Sequence, residues 1–334
     1  MFTTDQIDAI VNQTIRYPYK LWGFGEGIAL EAIWRVGTVL NRRTWLDWIV
    51  GMMDRWLERD PHIVEDDHSA PGALLLDVYA HTQDRSYLNL AMELATHMQN
   101  LPVDESGAWR HRPYHPQFHH FIYVDCMEVD APFFCRLAQT TGEDRYYDLA
   151  GKQLLGYARH LQDDDTDLFY HQVDGETGVT NGVYWGRGNG WALLGLVKTL
   201  RLLPPQHEAY DELLKRFQRL AASVVACQLP SGDWPTVLDE PNTYAEGSLV
   251  AFFAYGLRSG ITAGWLPVSY ASHVERAYAA LHNRLSSDGL LMDVSNATPP
   301  GRAGTHYNLV PVGTGFPWGQ GPLLLAAQDF LFLT

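Results

Sequence analysis

Helix-period patterning that breaks into a long loop after every second helix is the feature that most limits what this chain can form. Apolar residues recur at three- and four-residue intervals, as in Ile7, Ile10, Val11 and Ile15, and period-two strand patterning is almost absent. Stretches at 18–25, 61–71, 101–121, 163–190, 229–243 and 286–317 interrupt the pattern, and they collect Gly, Pro, His and aromatic residues. About twelve helices separated in this way pair into six hairpins. Six hairpins with their long loops at one end make an all-α (α/α)6 toroid, with an inner and an outer ring of helices. Loops gathered on one rim are where such a fold would build a site. No compositional break divides residues 1–334, so the sequence predicts one (α/α)6-barrel domain.

Composition narrows the partners. The net charge is −15 with no basic block, which argues against nucleic acid and against an anionic membrane surface. An acidic ligand must therefore be met by local cations. No apolar run is long enough to span a bilayer, and the N-terminus shows no basic-then-apolar leader. The three cysteines have no motif spacing, which fits a reducing cytoplasm. The 11 Trp and 17 Tyr lean toward carbohydrate, whose C–H faces stack on rings. Composition does not assign an oligomeric state.

The densest chemistry lies in Tyr184-Trp185-Gly186-Arg187-Gly188-Asn189-Gly190-Trp191, with a helix expected from 192 onward. Trp185 and Trp191 offer flat apolar faces, Arg187 a forked donor, Asn189 an amide, and the glycines room for a close approach. Arg187 is the best candidate for a substrate carboxylate. Other rim loops bring Trp22, then Asp67 and His68, then His119, His120 and Tyr123, then His171 and Asp174. Asp125 opens a helix among Ile122, Val124, Met127 and Val129, where desolvation would raise a carboxyl pKa and suit a general acid. Glu128 and Asp130 are nearby alternatives for that acid, and an N-cap is the bland role for Asp125. Asp67 is the second carboxylate, from another loop. The histidines lack metal-ligand spacing, since His119 and His120 are adjacent and no HExxH or Cys cluster accompanies them, so neither metal nor cofactor is expected. Nucleophile-elbow, Walker and dinucleotide motifs are missing from the sequence.

These residues together resemble the unsaturated rhamnogalacturonyl hydrolases and the related unsaturated glucuronyl hydrolases, glycoside hydrolases of (α/α)6 fold. The resemblance runs nearly end to end. It is carried by Trp185-Gly186-Arg187-Gly188-Asn189-Gly190-Trp191, by Asp125 with Pro132-Phe133, and by Asp67-His68-Ser69-Ala70-Pro71-Gly72. His171 with Asp174, Tyr244-Ala245-Glu246-Gly247-Ser248 and Trp318-Gly319-Gln320-Gly321-Pro322 add to it. Glu128, Asp130 and the insert around His119-His120 depart from the family pattern. The resemblance implies a catalytic domain that removes a 4,5-unsaturated uronic acid from the non-reducing end of lyase-made oligosaccharides. It implies Asp125 as the acid that protonates C4, with water adding at C5. It further implies Arg187 on the carboxylate, Trp185 and Trp191 flanking the ring, and Asp67 and His171 on hydroxyls or the water. Asn189, Trp22, His119 and His120 complete the expected substrate-binding set. Two alternatives stay open: another (α/α)6 sugar enzyme, such as a 2-epimerase or an ordinary glycosidase, and an oligosaccharide-binding toroid without catalysis.

Overall fold

A computed structural model describes residues 2–20, 23–58 and 69–328. Trp22 and Asp67, with Asp66 and His68, lie outside the described residues. Thirteen α-helices occur among the described residues: α1 (Thr4–Thr14), α2 (Phe24–Val39), α3 (Arg43–Glu58), α4 (Gly72–Thr82), α5 (Arg85–Asn100), α6 (Cys126–Thr141), α7 (Arg145–Leu161), α8 (Gly186–Leu202), α9 (Tyr210–Ala226), α10 (Gly247–Thr262), α11 (Ala271–Arg284), α12 (Gly304–Asn308) and α13 (Pro317–Gln328). The helix beyond the expected twelve is α12, a single short turn region inside the loop at 286–317. Four short strands decorate the loops among the described residues. β1 (Phe121–Tyr123) pairs antiparallel with β2 (Gln172–Asp174), and β3 (Val294–Ser295) with β4 (Val312–Gly313).

Helices α2, α4, α6, α8, α10 and α13 pack side by side in that order, and α13 closes on α2. The remaining long helices lie outside them, giving the (α/α)6 toroid. Residue pattern separates the two rings. In α8 every residue from Gly186 to Leu200 is buried, as an inner helix touched on all sides requires. In α9 only Leu213, Phe217, Leu220, Ala221 and Val224 are buried, one stripe at helical spacing. Thr3 and Gln6 form a reciprocal capping box at the start of α1. Inner helices also meet closely. A Cβ on Gly195 would stand 2.2 Å from the Met127 carbonyl oxygen, so only glycine lets α8 approach the backbone of α6.

The run from Trp185 to Trp191 corrects an expectation. It is not a loop before a helix: α8 begins at Gly186, and the run forms its first turns. Gly186, Gly188 and Gly190 have no left-handed backbone angles. A Cβ at these three positions would meet Leu249, Val124 and Phe252 at 2.6, 2.7 and 2.8 Å, so the glycines admit neighbouring protein rather than a ligand.

Each inner helix follows a rim loop, so their N-terminal ends converge on one mouth of the toroid. Aligned helix dipoles make such a mouth locally positive despite the acidic chain. The opposite mouth holds a cavity of about 350 Å³ among Glu31, Arg35, Asp77, Arg136 and Lys198. Lys198 bridges Glu31 (2.5 Å) and Glu128. Arg136 pairs with Asp77, and Arg35 with Glu31 at 3.2 Å. These cations sit toward the C-terminal ends of inner helices, where they offset the negative dipole ends. Glu128, paired with Lys198, and Asp130 are buried away from the rim cavity. Asp130 accepts from Ser69 Oγ (2.8 Å), Gln153 Nε2 (2.9 Å) and the Tyr157 hydroxyl (2.9 Å). Neither carboxylate is available as a rim acid. No helix among the described residues is long and apolar enough to cross a membrane.

Candidate active site

The short strands assemble the site. Pairing of Tyr123 with Gln172 continues one step further, where the Val124 N–H donates to the His171 carbonyl at 3.1 Å. That register sets Asp125, just past β1, beside His171, just before β2. His171 Nε2 lies 3.6 Å from Asp125 Oδ2, with the imidazole buried and the carboxylate 15% exposed. Asp125 occupies the N-cap position of α6 but makes no capping hydrogen bond, so its bland role does not account for it. The His171 ring stacks on the Trp185 indole, centroids 4.1 Å apart.

Asp125, Trp185, Arg187 and Trp191 line one cavity of about 320 Å³. Its other walls are Tyr17 and Lys20, Phe24 at the start of α2, Thr298, and Trp318 at the start of α13. The volume is that of a small-ligand site. Trp191 packs edge-on against Phe252 behind the wall, at 4.7 Å. Lys20 and Thr298 escaped the sequence reading, because a single cation or hydroxyl in a loop carries no pattern.

Arg187 is 3% exposed and lies over Trp185, 4.8 Å from the ring centre. Nη1 donates to the Ser295 carbonyl (3.0 Å), Ser295 Oγ (2.5 Å) and Glu246 Oε1 (3.3 Å). Nη2 donates to the Asn296 carbonyl (2.8 Å) and Thr298 Oγ1 (3.1 Å). The fork that sequence reasoning reserved for a substrate carboxylate is thus engaged by the 295–298 segment. Burial lowers the Arg187 pKa against the opposing pull of Glu246.

Asn189 departs from its expected role. Its Oδ1 accepts from the Phe169 N–H (2.8 Å), and its Nδ2 donates to the Phe169 and Trp185 carbonyls (each 2.9 Å). Those three bonds tie the 163–185 loop to α8 and direct the amide away from the cavity. His119 and His120 are also elsewhere. His119 is exposed, its Nδ1 3.2 Å from the Pro116 carbonyl. His120 faces Asp174 at 3.8 Å and lines a second cavity of about 620 Å³, with Phe118, Tyr123 and Arg302. Residues 297–302 form the wall between the two cavities: Ala297 and Thr298 face the first, Pro299 to Arg302 the second.

Burial, reinforced by the charges of Arg187 and His306, holds the His171 imidazole well below its ordinary pKa. An unfolded chain takes up that proton near pH ~6.5 and the folded chain does not, so stability falls as pH drops below about 6.5. The loss reaches about 1.4 kcal/mol per pH unit. Urea unfolding at neutral and mildly acid pH, one unit below 6.5, should show the wild type losing about 1 kcal/mol more than His171→Gln. Equal losses in both proteins would contradict the assignment.

A model described as Glycosyl Hydrolase Family 88 matches residues 4–334. The unsaturated rhamnogalacturonyl hydrolase YesR of Bacillus subtilis is 27% identical over 332 residues, covering 98% of this chain and 94% of that one. A solved glycoside hydrolase from family 105 of C. acetobutylicum superposes with a TM-score of 0.86 at 24% identity, over 98% of both chains. The unsaturated glucuronyl hydrolase of Bacillus sp. GL1 superposes with a TM-score of 0.75 at 18% identity, over 97% of this chain and 96% of that one.

Proposed function

The chain belongs to Glycosyl Hydrolase Family 88, and from that premise we propose that it removes a 4,5-unsaturated uronic acid from the non-reducing end of lyase-generated oligosaccharides. The observation that carries this reading is the Asp125 carboxyl sharing a cavity of about 320 Å³ with a buried cation and two indoles, while the other carboxylate on its wall, Glu26, accepts from the Lys20 N–H at 2.9 Å. The converging N-terminal ends of the inner helices favour an anionic ring there. Arg187, paired with Glu246 behind the wall, and Lys20 are the two cations that line the cavity. Trp185 and Trp191 bound the planar face.

The chemistry needs one carboxyl that gives a proton and then takes one. Asp125 transfers its proton to C4, and the C4=C5 electron pair forms the new C–H bond. Positive charge develops at C5 and is shared with the ring oxygen. Water adds at C5 and returns a proton to the Asp125 carboxylate, closing the acid–base cycle. The C5 hemiketal then breaks its bond to the ring oxygen and becomes a ketone. The hemiacetal left at C1 collapses to an aldehyde and releases the remaining sugar as an alcohol. His171 lies beside the carboxylate that changes charge. Asp67 is proposed to bind a hydroxyl or hold the water. The reading takes residues 1–334 as one catalytic domain acting in the cytoplasm on small acidic oligosaccharides.

Incubation with unsaturated disaccharides from several polysaccharide lyases tests this reading. Loss of the ultraviolet chromophore together with release of the linked sugar is expected for at least one of them. Turnover confined to saturated glycosides would contradict it.

A further inference from the structure

The hydroxyl of Tyr307, carried on α12, lies 2.7 Å from His171 Nδ1. Its surroundings decide which way that bond runs. The Asn181 side chain meets two one-way partners: the Gly301 carbonyl, which can only accept, at 2.8 Å, and the Gln172 N–H, which can only donate, at 3.3 Å. Asn181 therefore turns Nδ2 toward Gly301, and that same nitrogen donates to the Tyr307 oxygen at 3.0 Å. The Gly301 N–H donates to the same oxygen at 3.1 Å. Two incoming donors occupy both lone pairs of the phenol oxygen. Its single proton is left for His171 Nδ1.

We propose that Tyr307 is a positioning residue that fixes the neutral His171 tautomer with its proton on Nε2, the nitrogen facing Asp125. This rests on the functional reading of Asp125 given above. An N–H on Nε2, 3.6 Å from Asp125 Oδ2, stabilises the negative charge that appears on the carboxylate once its proton has moved to C4. With the proton on Nδ1, a lone pair would face the carboxylate and disfavour that charge. Burial of the ring and the nearby charges of Arg187 and His306 keep it neutral, so the tautomer decides what Asp125 meets. Tyr307 is itself fully buried, and it is reached through a chain of fixed donors from β2 and the 297–302 wall.

Long-range proton–nitrogen correlation on the ¹⁵N-histidine-labelled protein reads the tautomer directly, with His171 assigned by its loss in His171→Gln. A pyridine-like Nδ1 and a protonated Nε2 are expected in the wild type. In Tyr307→Phe the Nδ1–H form should appear, and kcat should fall about ten- to a hundredfold with KM changed less than about twofold, as for other partners that orient a working group. A protonated Nδ1 in the wild type overturns the proposal, and so does a Tyr307→Phe variant with unchanged tautomer and kcat. The wild-type spectrum stands alone if the variant does not fold. It needs no substrate, so an error in the hydrolase reading shows as missing chromophore loss and not as a changed spectrum.

Discussion

Asp125→Asn is expected to abolish nearly all loss of the unsaturated chromophore, lowering kcat by about 10²–10⁴-fold, the range a general acid contributes. The amide keeps the shape of the carboxyl but cannot give a proton to C4 or take one from water. The fold should survive, because Asp125 makes no capping hydrogen bond to α6 and is partly exposed at the cavity wall. KM should change little, since Trp185, Trp191 and the cations that bound the ring remain. Circular dichroism and a urea curve matching the wild type, alongside lost turnover, would separate chemistry from folding. Full activity would remove Asp125 from its role.

The largest stability effect is expected at Glu246, which lies at the N-cap of α10 and is 1% exposed. Its Oε1 accepts from Arg187 Nη1 (3.3 Å) and the Ser295 N–H (2.7 Å). Its Oε2 accepts from Ser248 Oγ (2.6 Å) and the Leu249 N–H (3.1 Å). One carboxylate thus caps an inner helix, neutralises a buried guanidinium and anchors β3. Glu246→Ala leaves the Arg187 charge buried without its counter-ion, which costs about 3–5 kcal/mol, and removes a helix cap worth about 1 kcal/mol. The urea midpoint should fall accordingly, and KM should rise, because Arg187 holds the 295–298 wall of the cavity through Ser295, Asn296 and Thr298. An unfolding free energy within about 1 kcal/mol of the wild type would contradict this account of the wall.

Which parts of this were legible in the sequence follows from how local each signal is. Helical periodicity and the spacing of long loops are local, so the toroid and the rim were readable. The placement of Asp125 at the rim cavity was readable too, because a carboxyl among Ile122, Val124 and Met127 needs a reason to be there. The glycines at 186, 188 and 190 misled, because the same residue serves a loop that admits a ligand and an inner helix that admits Leu249, Val124 and Phe252. Asn189 misled for a related reason: its partners, Phe169 and Trp185, are backbone groups and leave no trace in side-chain identity. Arg187 lines the cavity, but its engagement by residues more than a hundred positions away could not be read from its neighbours. The approach of His171 to Asp125 depends on the β1–β2 register, which two three-residue strands do not announce.

The central claim is that the double bond, and not the anomeric carbon, is where reaction begins. Turnover in deuterium oxide tests it most directly. Hydration started by Asp125 predicts a product carrying one deuterium at C4, on one face, with release of the linked sugar keeping pace with loss of the chromophore. Release of a uronate whose C4=C5 bond is intact and free of deuterium at the moment of cleavage would contradict it.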